Sequence, residues 1–426
     1  MGVLIKCKKN KKLLQGAFLH LEQNYKIAII GLGYVGLPLA FSFSEYYETV
    51  GFDIDIDKIK NLNSKKNVSS SLLFTNDTQD LCKANIYIVA VPTPVNSNNI
   101  PDLSFLESAT KLIGNFLKNE DIVIYESTVY PGVTEDFCVP ILENQSNLKY
   151  NIDFYCGYSP ERINPGDKNK SLKNIIKVTS GSTNRVAKII DNLYNKIIVA
   201  GTYQASSIKV AEASKVVENI QRDINIALMN ELAMMFDKLD IPISDVIEAA
   251  KTKWNFIDFK PGLVGGHCIG IDPYYLIYKS KESGYMPDLI STARKINNYV
   301  PQFIITKARD ILLENNQSLN KCNILILGYS FKENCEDIRN TKVEDIVVGL
   351  EDLGCNVDIY DPVIKIIHNN LVDNPFYGLK KYDIIIAAVA HKEFNNYTIN
   401  DFNEISKENL VLLDIKGIYN FSTWTL

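Results

Sequence analysis

Residues 25–53, YKIAIIGLGYVGLPLAFSFSEYYETVGFD, contain in order an apolar strand, a glycine turn, a helix and a second strand that ends in Asp53. The glycines have the spacing GxGxxG. In such a turn Gly31 allows the tight bend, Gly33 lets a ligand approach the backbone, and Gly36 lets the helix pack closely on the strand. This order predicts an α/β domain of the Rossmann type, with a doubly wound parallel sheet.

Asp53 lies 22 residues after Gly31, where a carboxylate accepts hydrogen bonds from the ribose hydroxyls of a dinucleotide. A carboxylate there repels a 2′-phosphate, so NAD is favoured over NADP as the cofactor. A tight turn that binds nothing is the alternative for the glycine pattern alone, but the flanking strands, helix and acid together favour dinucleotide binding. The expected cofactor contacts in this segment are Gly31, Gly33, Tyr34, Val35, Gly36 and Asp53.

Three further apolar segments end in polar residues. The strand NIYIVAV (85–91) runs into PTP, DIVIY (121–125) runs into EST, and FYCGYS (154–159) runs into PER. Ligands of open α/β sheets bind at the carboxyl ends of the strands, so Thr93, Thr128 and Glu161 are candidate contacts for the cofactor or its substrate. The alternative role of each threonine is to cap the next helix.

Residues 204–237 contain no Pro or Gly and predict a single helix, roughly 50 Å long at 1.5 Å per residue. A helix of that length suits a connector between two lobes or a dimer interface. Lys215 and Asn219 are four residues apart and therefore share a face. The apolar residues around Lys215 favour a partly desolvated ammonium group, and a solvated surface lysine is the alternative.

The loop PGLVGGHCIGIDPYY (261–275) places a cysteine among glycines. Cys268 is followed four residues later by Asp272, and His267 stands beside it. A thiol and a carboxylate in a loop that a ligand can approach closely indicate covalent chemistry. The alternative is a small buried apolar cysteine, and His267 is interpreted only as a structural neighbour.

A second strand–helix–strand pattern begins near residue 323 with NILILGYS and lacks the GxGxxG spacing. Its strand ends are expected to carry cations in place of a ribose-binding acid: Lys332, Arg339 and Lys416. Because the whole chain has a net charge of −5, cations gathered at strand ends favour an anionic, phosphate-bearing ligand. A solvated surface position is the alternative for each one.

The bulk composition excludes several classes of protein. A chain of 426 residues exceeds one ordinary core, and its net charge of −5 gives no support for nucleic-acid binding. No apolar run approaches the roughly 18 residues that span a bilayer. The eight cysteines show no CxxC pattern or zinc-type spacing with the four histidines, which predicts a reducing, cytoplasmic location and no metal. Residues 1–24 are interpreted as an N-terminal extension and not as a signal peptide.

The motifs together resemble the UDP-glucose/GDP-mannose dehydrogenase family, from about residue 26 to residue 417. They are GLGYVGLPLA, VPTP, ESTVYPG, EASKVVENIQRDINIALMNELA, PGLVGGHCIGIDPYYL and GYSFKENCEDIRNTKV. Within the family, the residues of the last two motifs are most similar to those of the bacterial UDP-N-acetylglucosamine and UDP-N-acetylgalactosamine 6-dehydrogenases. Those enzymes serve surface polysaccharide biosynthesis, including capsule and O-antigen.

The resemblance implies two Rossmann-like doubly wound domains joined by a long central helix, in a homodimer. The expected boundaries are an NAD-binding domain over 25–203, a central helical and dimerisation region with the cysteine loop over 204–300, and a UDP-sugar-binding domain over 301–426.

The activity implied is a four-electron oxidation of the C6 alcohol of a UDP-N-acetylhexosamine to the uronic acid, with NAD as acceptor. Cys268 corresponds to the family nucleophile, which forms a thiohemiacetal and then a thioester. Lys215 and Asn219 correspond to residues that stabilise an oxyanion, and Asp272 to the carboxylate that activates the hydrolytic water.

Further site residues are implied in the same way. Thr128 and Glu161 correspond to positions near the nicotinamide and the reacting carbon. Lys332 corresponds to a contact with the substrate diphosphate and Arg339 to a cofactor contact. Gly265 and Lys416 are further expected substrate contacts.

One position departs from the UDP-glucose dehydrogenases, which carry a second glutamate four residues after the first. Here Pro165 stands there, which favours a pocket with room for an N-acetyl group. UDP-glucose or UDP-N-acetylmannosamine remains the alternative substrate. A two-electron NAD-dependent hydroxy-acid dehydrogenase with Lys215 as acid/base, and a non-catalytic sensor, are the alternative functions.

Overall fold

A computed structural model describes residues 25–65, 69–162, 172–266, 268–315, 318–365 and 368–426. The N-terminal extension, Pro165 and His267 lie outside these residues. The chain divides into two compact units between Val216 and Val217.

The N-terminal unit is built on a six-stranded parallel sheet. In sequence order its strands are β1 (Lys26–Ile30), β2 (Glu48–Phe52), β3 (Leu72–Thr75), β4 (Ile86–Val89), β5 (Ile122–Tyr125) and β6 (Tyr155–Tyr158). Their spatial order is β3-β2-β1-β4-β5-β6, and every neighbouring pair is parallel. This is the strand order of the Rossmann fold, which reverses direction between β1 and β4.

The strands are short apolar runs because helices cover both faces of the sheet. The helices are α1 (Gly36–Ser44), α2 (Ile56–Ser64), α3 (Ser104–Gly114), α4 (Val139–Ser146) and α5 (Asn184–Asn195). Two apolar cores result, one on each side of the sheet. A separate parallel pair, β7 (Lys177–Thr179) with β8 (Thr202–Gln204), stands beside the main sheet.

The long helix α6 (Ile208–Lys238) contains the division between the units. The sequence placed its start at residue 204, which is wrong by four residues. Gln204 pairs with Thr179 as the last residue of β8, and the side chain of Ser207 accepts a hydrogen bond from the amide of Val210. The backbone there pairs with a strand before a serine starts the helix, and residue composition alone does not reveal this.

The C-terminal unit begins with helices and ends with a second parallel sheet. Its helices are α7 (Ile243–Ala250), α8 (Asp272–Glu282), α9 (Asp288–Glu314), α10 (Val343–Asp352) and α11 (Ile399–Ile405). Its strands are β9 (Asn323–Leu327), β10 (Asn356–Tyr360), β11 (Ile384–Ala387), β12 (Leu412–Asp414) and β13 (Trp424–Thr425), in the order β10-β9-β11-β12-β13. The predicted fold class, α/β with two Rossmann-like domains and a long central helix, is confirmed.

The turn after the first strand of the second sheet has the same backbone geometry as the glycine turn after β1. Gly328 follows β9 with φ +89° and its amide donates to the carbonyl of Tyr360, as Gly31 does after β1 with φ +94° toward Phe52. The second strand end of this half also carries an acid. Asp361 stands there, in the position that Asp53 occupies in the first half.

Candidate active site

The glycine turn of the N-terminal unit has the geometry that a dinucleotide requires. A Cβ atom on Gly36 would lie 1.8 Å from the carbonyl oxygen of Gly31, so only glycine lets α1 approach β1 this closely. By contrast, no atom of another described residue, the two chain neighbours apart, lies within 4 Å of the place where a Cβ of Gly33 would be. The turn is therefore closed on its sheet side and open at Gly33, where the pyrophosphate of a dinucleotide is expected.

Asp53 follows β2 and organises this turn. One carboxylate oxygen accepts from the amide of Leu32 at 2.9 Å and from the ammonium of Lys58 at 2.7 Å, and the other accepts from the amide of Asp55 at 3.0 Å. Burial opposes ionisation, but these hydrogen bonds outweigh it and lower the pKa of Asp53. An ionised acid at this strand end suits ribose hydroxyls and disfavours a 2′-phosphate.

Thr93 and Thr128 lie just after β4 and β5, at the carboxyl edge of the sheet. Neither threonine is the N-cap of a described helix: Leu103 precedes α3, and Gly132 precedes the π-helical turn Val133–Cys138. Capping therefore does not account for them. The hydroxyl of Ser127 donates to the carbonyl of Val91 at 2.7 Å, which ties the two strand ends together.

Glu161 follows β6 at the same edge and is 7% exposed. One of its carboxylate oxygens accepts from the ammonium of Lys177 at 2.7 Å, and the other accepts from the amide of Arg162 at 2.6 Å. Lys177 also lies 2.6 Å from Glu126, directly before Ser127. Lys177 was not among the residues predicted for the site. Its position as a charged residue within the apolar run NIIKVT was a signal that could have indicated it.

Lys215 is 7% exposed, which settles the choice between a desolvated and a solvated lysine in favour of burial. One turn before it on α6, the fully buried Glu212 accepts from the amides of Gly132 at 2.6 Å and Thr134 at 2.9 Å. Burial raises the pKa of Glu212 to about 7. This carboxyl group fixes the loop after Thr128 to the helix that carries Lys215.

Within the C-terminal unit, the cysteine loop ends at the N-terminus of α8. The side chain of Cys268 is exposed, so the alternative of a buried apolar cysteine is wrong. Its carbonyl accepts from the amide of Asp272 at 2.8 Å, which closes the turn that leads into the helix. Asp272 is 1% exposed and its carboxylate accepts from the side-chain amide of Asn219 at 2.5 Å. The structure thus brings two of the predicted residues, Asn219 and Asp272, into contact. The third, Cys268, lies four residues before Asp272 in the sequence.

The glycines of the cysteine loop pack against the loop that follows β9. The amide of Gly266 donates to the carbonyl of Asn340 at 3.1 Å, and the side-chain amide of Asn340 donates back to the carbonyl of Gly266 at 2.9 Å. A Cβ atom on Gly265 would lie 2.6 Å from the same Asn340 carbonyl, and one on Gly266 would lie 2.7 Å from the ring of Phe331. Glycine is required at position 265 because a second backbone lies against it, and at position 266 because φ is +80° and an aromatic ring lies against it.

A shallow cleft in the C-terminal unit is lined by Gly265, Lys332, Lys342 and Lys416, among others. Three lysines around one cleft make it suitable for an anionic group. Burial lowers the pKa of Lys416, opposed by the charge of Glu333. Arg339 is not among the residues that line the cleft, and its guanidinium is paired with Asp337 at 2.5 Å.

Asp361 does not present its carboxylate as a ribose-binding acid does. One oxygen accepts from the amides of Tyr329 at 2.7 Å and Ser330 at 3.0 Å and contacts His391 Nε2 at 3.0 Å. The amide of Asn334 donates to His391 Nδ1 at 2.9 Å, so Nε2 carries the proton and donates to Asp361. Although burial opposes it, the hydrogen bond from His391 and those from the backbone lower the pKa of Asp361 well below its usual range. The carboxylate of Asp361 therefore binds the backbone of the loop that follows β9.

Among the described residues, no group of three or more His, Cys, Asp or Glu side chains could hold a metal ion. In the same part of the chain, no helix combines the length and the apolar composition needed to cross a bilayer.

Comparison with known proteins gives a consistent result. Residues 25–198 match the NAD binding domain of the UDP-glucose/GDP-mannose dehydrogenase family, residues 209–299 its central domain and residues 325–421 its UDP binding domain. A UDP-N-acetyl-D-glucosamine 6-dehydrogenase of Pseudomonas aeruginosa is 48% identical over 411 residues, covering 92% of this chain and 97% of that protein. One of Salmonella typhi is 47% identical, covering 92% and 96%.

Among solved structures, a UDP-D-ManNAc dehydrogenase of Pyrococcus horikoshii superimposes with a TM-score of 0.85 and 30% identity, covering 94% of this chain and 98% of that one. The glycine turn, the acid after β2 and the NAD-binding match agree on NAD as the cofactor. The chain belongs to the UDP-glucose/GDP-mannose dehydrogenase family of NAD-dependent oxidoreductases.

Proposed function

We propose that this enzyme oxidises the C6 alcohol of a UDP-N-acetylhexosamine, UDP-N-acetylglucosamine or UDP-N-acetylgalactosamine, to the carboxylate. The observation that carries the proposal is the exposed Cys268 in the loop before α8, four residues before the buried Asp272. Bound NAD supplies the hydride acceptor. In total, one alcohol, one water and two NAD give one carboxylate, two NADH and three protons.

The thiol accounts for the second oxidation. The C6 aldehyde left by the first oxidation has no readily removed hydride until a nucleophile makes the carbon tetrahedral. The Cys268 thiolate adds to that carbon and forms a thiohemiacetal. Loss of hydride from the thiohemiacetal gives a thioester on Cys268. Water then cleaves the C–S bond, which releases the carboxylate and the thiol.

The surrounding side chains have separate roles in this proposal. The hydrogen bond from Asn219 holds the carboxylate of Asp272, which takes a proton from the hydrolytic water. Lys215 and Asn219 donate to the oxygen on C6 as negative charge develops there. Thr128 and Glu161 bind near the reacting carbon, at the sheet edge where the nicotinamide is expected.

The nucleotide part of the substrate is assigned to the cleft of the C-terminal unit. Lys332 and Lys416 bind the UDP phosphates, and Gly265 lets the sugar approach the backbone. The sugar is assigned by analogy with the UDP-N-acetyl-D-glucosamine 6-dehydrogenases of Pseudomonas aeruginosa and Salmonella typhi, which are 48% and 47% identical to this chain. Arg339 is assigned to the cofactor, with its guanidinium oriented by Asp337.

We further infer a homodimer that works in the cytoplasm and supplies a surface polysaccharide. Large apolar side chains of the C-terminal unit are exposed, and burial in a dimer would remove them from water. They are Leu228, Met235, Trp254, Tyr285, Leu289 and Tyr299. The cytoplasm is inferred because none of the cysteines of the described residues is in a disulfide. Light scattering of the purified chain tests the dimer.

A substrate panel tests the proposal. NADH release is measured with UDP-N-acetylglucosamine, UDP-N-acetylgalactosamine, UDP-N-acetylmannosamine and UDP-glucose. The highest kcat/KM is expected with one of the first two sugars. A preference for UDP-glucose contradicts the assignment, and so does a preference for UDP-N-acetylmannosamine, which would match the UDP-D-ManNAc dehydrogenase of Pyrococcus horikoshii.

A further inference from the structure

A buried lysine links the ends of two neighbouring strands in the N-terminal unit. Lys177 begins β7 and is 3% exposed. Its ammonium lies 2.6 Å from a carboxylate oxygen of Glu126 and 2.7 Å from one of Glu161. Glu126 follows β5 and Glu161 follows β6, and these two strands are parallel neighbours.

We propose that Lys177 is a positioning residue, whose ammonium holds Glu161 beside the strand end that carries Thr128. The inference rests on the proposed oxidation, in which Glu161 and Thr128 contact the substrate or cofactor. Glu126 connects the lysine to that strand end, because it binds Lys177 and stands only two residues before Thr128. A single ammonium group therefore sets the distance between two candidate contacts.

The hydrogen bonds of the cluster show why the lysine orients Glu161. The hydroxyl of Tyr194, on α5, donates to one oxygen of Glu126 while Lys177 donates to the other. Glu161 accepts from Lys177 on one oxygen and from the amide of Arg162 on the other. Both carboxylates thus have a partner on each oxygen. Lys177 is the only partner among these that the two carboxylates share.

The charge balance of the cluster gives the lysine a second effect. The titratable side chains of the described residues that interact with Glu161 include Lys177 from β7, Glu126 from the end of β5 and Tyr194 from α5. Burial raises the pKa of Glu126, opposed by Lys177. Burial acts in the opposite sense on the lysine, and the two carboxylates outweigh it and raise the pKa of Lys177. The ammonium therefore stays charged at neutral pH. Without it, the two buried carboxylates lose the cation that they share, and ionisation of both is disfavoured.

Three variants separate positioning from simple structural support. Lys177→Met removes the cation and keeps most of the volume. Glu126→Gln leaves Lys177 to Glu161 alone, and the double variant removes both charges. Lys173→Met is the matched control, since Lys173 is four residues away in sequence and forms an exposed ion pair with Glu45.

The readout is the pH dependence of kcat for NADH release from UDP-N-acetylglucosamine, together with circular dichroism for folding. For Lys177→Met we expect kcat at pH 7 to fall about 100-fold, as for a misplaced contact, and the acid limb of the profile to move to higher pH by at least about one unit. For Glu126→Gln the acid limb moves to lower pH. The double variant lies between the two, and Lys173→Met matches the wild type.

Two results overturn the inference: a folded Lys177→Met enzyme whose acid limb is unmoved, and a Glu126→Gln enzyme whose limb is unmoved or shifts to higher pH. If Lys177→Met does not fold, Glu126→Gln alone decides. Wild-type activity on the sugar panel is measured first, so a failure of the proposed function is seen separately.

If the wild type oxidises none of the sugars, urea unfolding of the same variants from pH 5 to pH 8 still tests the charge role. Buried carboxylates without a cation keep their protons more tightly when folded than when unfolded, so Lys177→Met loses stability relative to the wild type as the pH rises. A stability difference that is constant with pH overturns the inference.

Discussion

Glu212 couples the loop after Thr128 to the helix of Lys215, and its replacement by glutamine gives a stability effect with a defined sign. Burial raises the pKa of this carboxyl group from 4.5 to about 7. The folded state therefore holds the proton more tightly than the unfolded state does. The stabilising effect of the proton is complete below the unfolded pKa of 4.5 and is lost as the pH rises through about 7.

The magnitude follows from the shift. At about 1.4 kcal/mol per pKa unit, a rise from 4.5 to about 7 corresponds to about 3 kcal/mol between the two ends of this range. Glutamine does not ionise, so Glu212→Gln removes this pH dependence. It also turns an NH₂ group toward the amide of Gly132 or Thr134, and the unpaired donor costs about 1–3 kcal/mol at every pH. The variant is thus less stable than the wild type at pH 5, and the difference shrinks toward pH 8.

Urea unfolding of both proteins at pH 5, 6, 7 and 8, followed by circular dichroism, measures this change. Because the chain has two units, its unfolding need not be two-state, so amide exchange of residues 128–138 is measured as a local free energy of opening. Glu231→Gln, an exposed position on the same helix, is the control. A difference between variant and wild type that is the same at pH 5 and pH 8 refutes the reasoning.

Three further expectations concern the site itself. Gly266→Ala adds a Cβ atom 2.7 Å from an aromatic ring, so kcat/KM should fall at least tenfold, whereas Gly284→Ala, with almost the same φ but no atom within 4 Å, should leave it unchanged; equal effects contradict the packing argument. Asp53→Asn should lower the preference for NAD over NADP at least tenfold, measured as the ratio of kcat/KM values, and an unchanged ratio removes Asp53 from cofactor selection. Asn219→Ala removes the donor to Asp272 and should lower kcat about 100-fold with KM changed less than about threefold; a full kcat contradicts the role.

Local sequence patterns predicted the architecture because each one has a direct physical cause. The spacing of Gly31, Gly33 and Gly36 between a strand and a helix leaves few alternatives to a Rossmann turn, and a Cβ on Gly36 would indeed meet the carbonyl of Gly31. The long helix was likewise predictable from the absence of Pro and Gly. Its first turn was not, because Gln204 pairs with β7, which lies 25 residues earlier in the sequence.

The side chains that support the site were harder to predict for the same reason. Lys177 lies 51 residues from Glu126, and their contact depends on the position of β7 beside the main sheet. Asp361 follows β10, and its bond to His391 cannot be predicted locally because the two residues are 30 positions apart in the sequence. Sequence patterns reveal residues that a motif holds together. Residues that support those motifs come from other elements and need the tertiary structure.

The stoichiometry of NADH release tests the central claim most directly. A limiting amount of UDP-N-acetylglucosamine is consumed to completion with excess NAD, and NADH is measured by absorbance against the sugar acid measured by mass spectrometry. The covalent route through Cys268 requires two NADH per sugar and a Cys268→Ser variant that still binds NAD but scarcely turns over. A ratio of one NADH per sugar, or full turnover by that variant, contradicts the account.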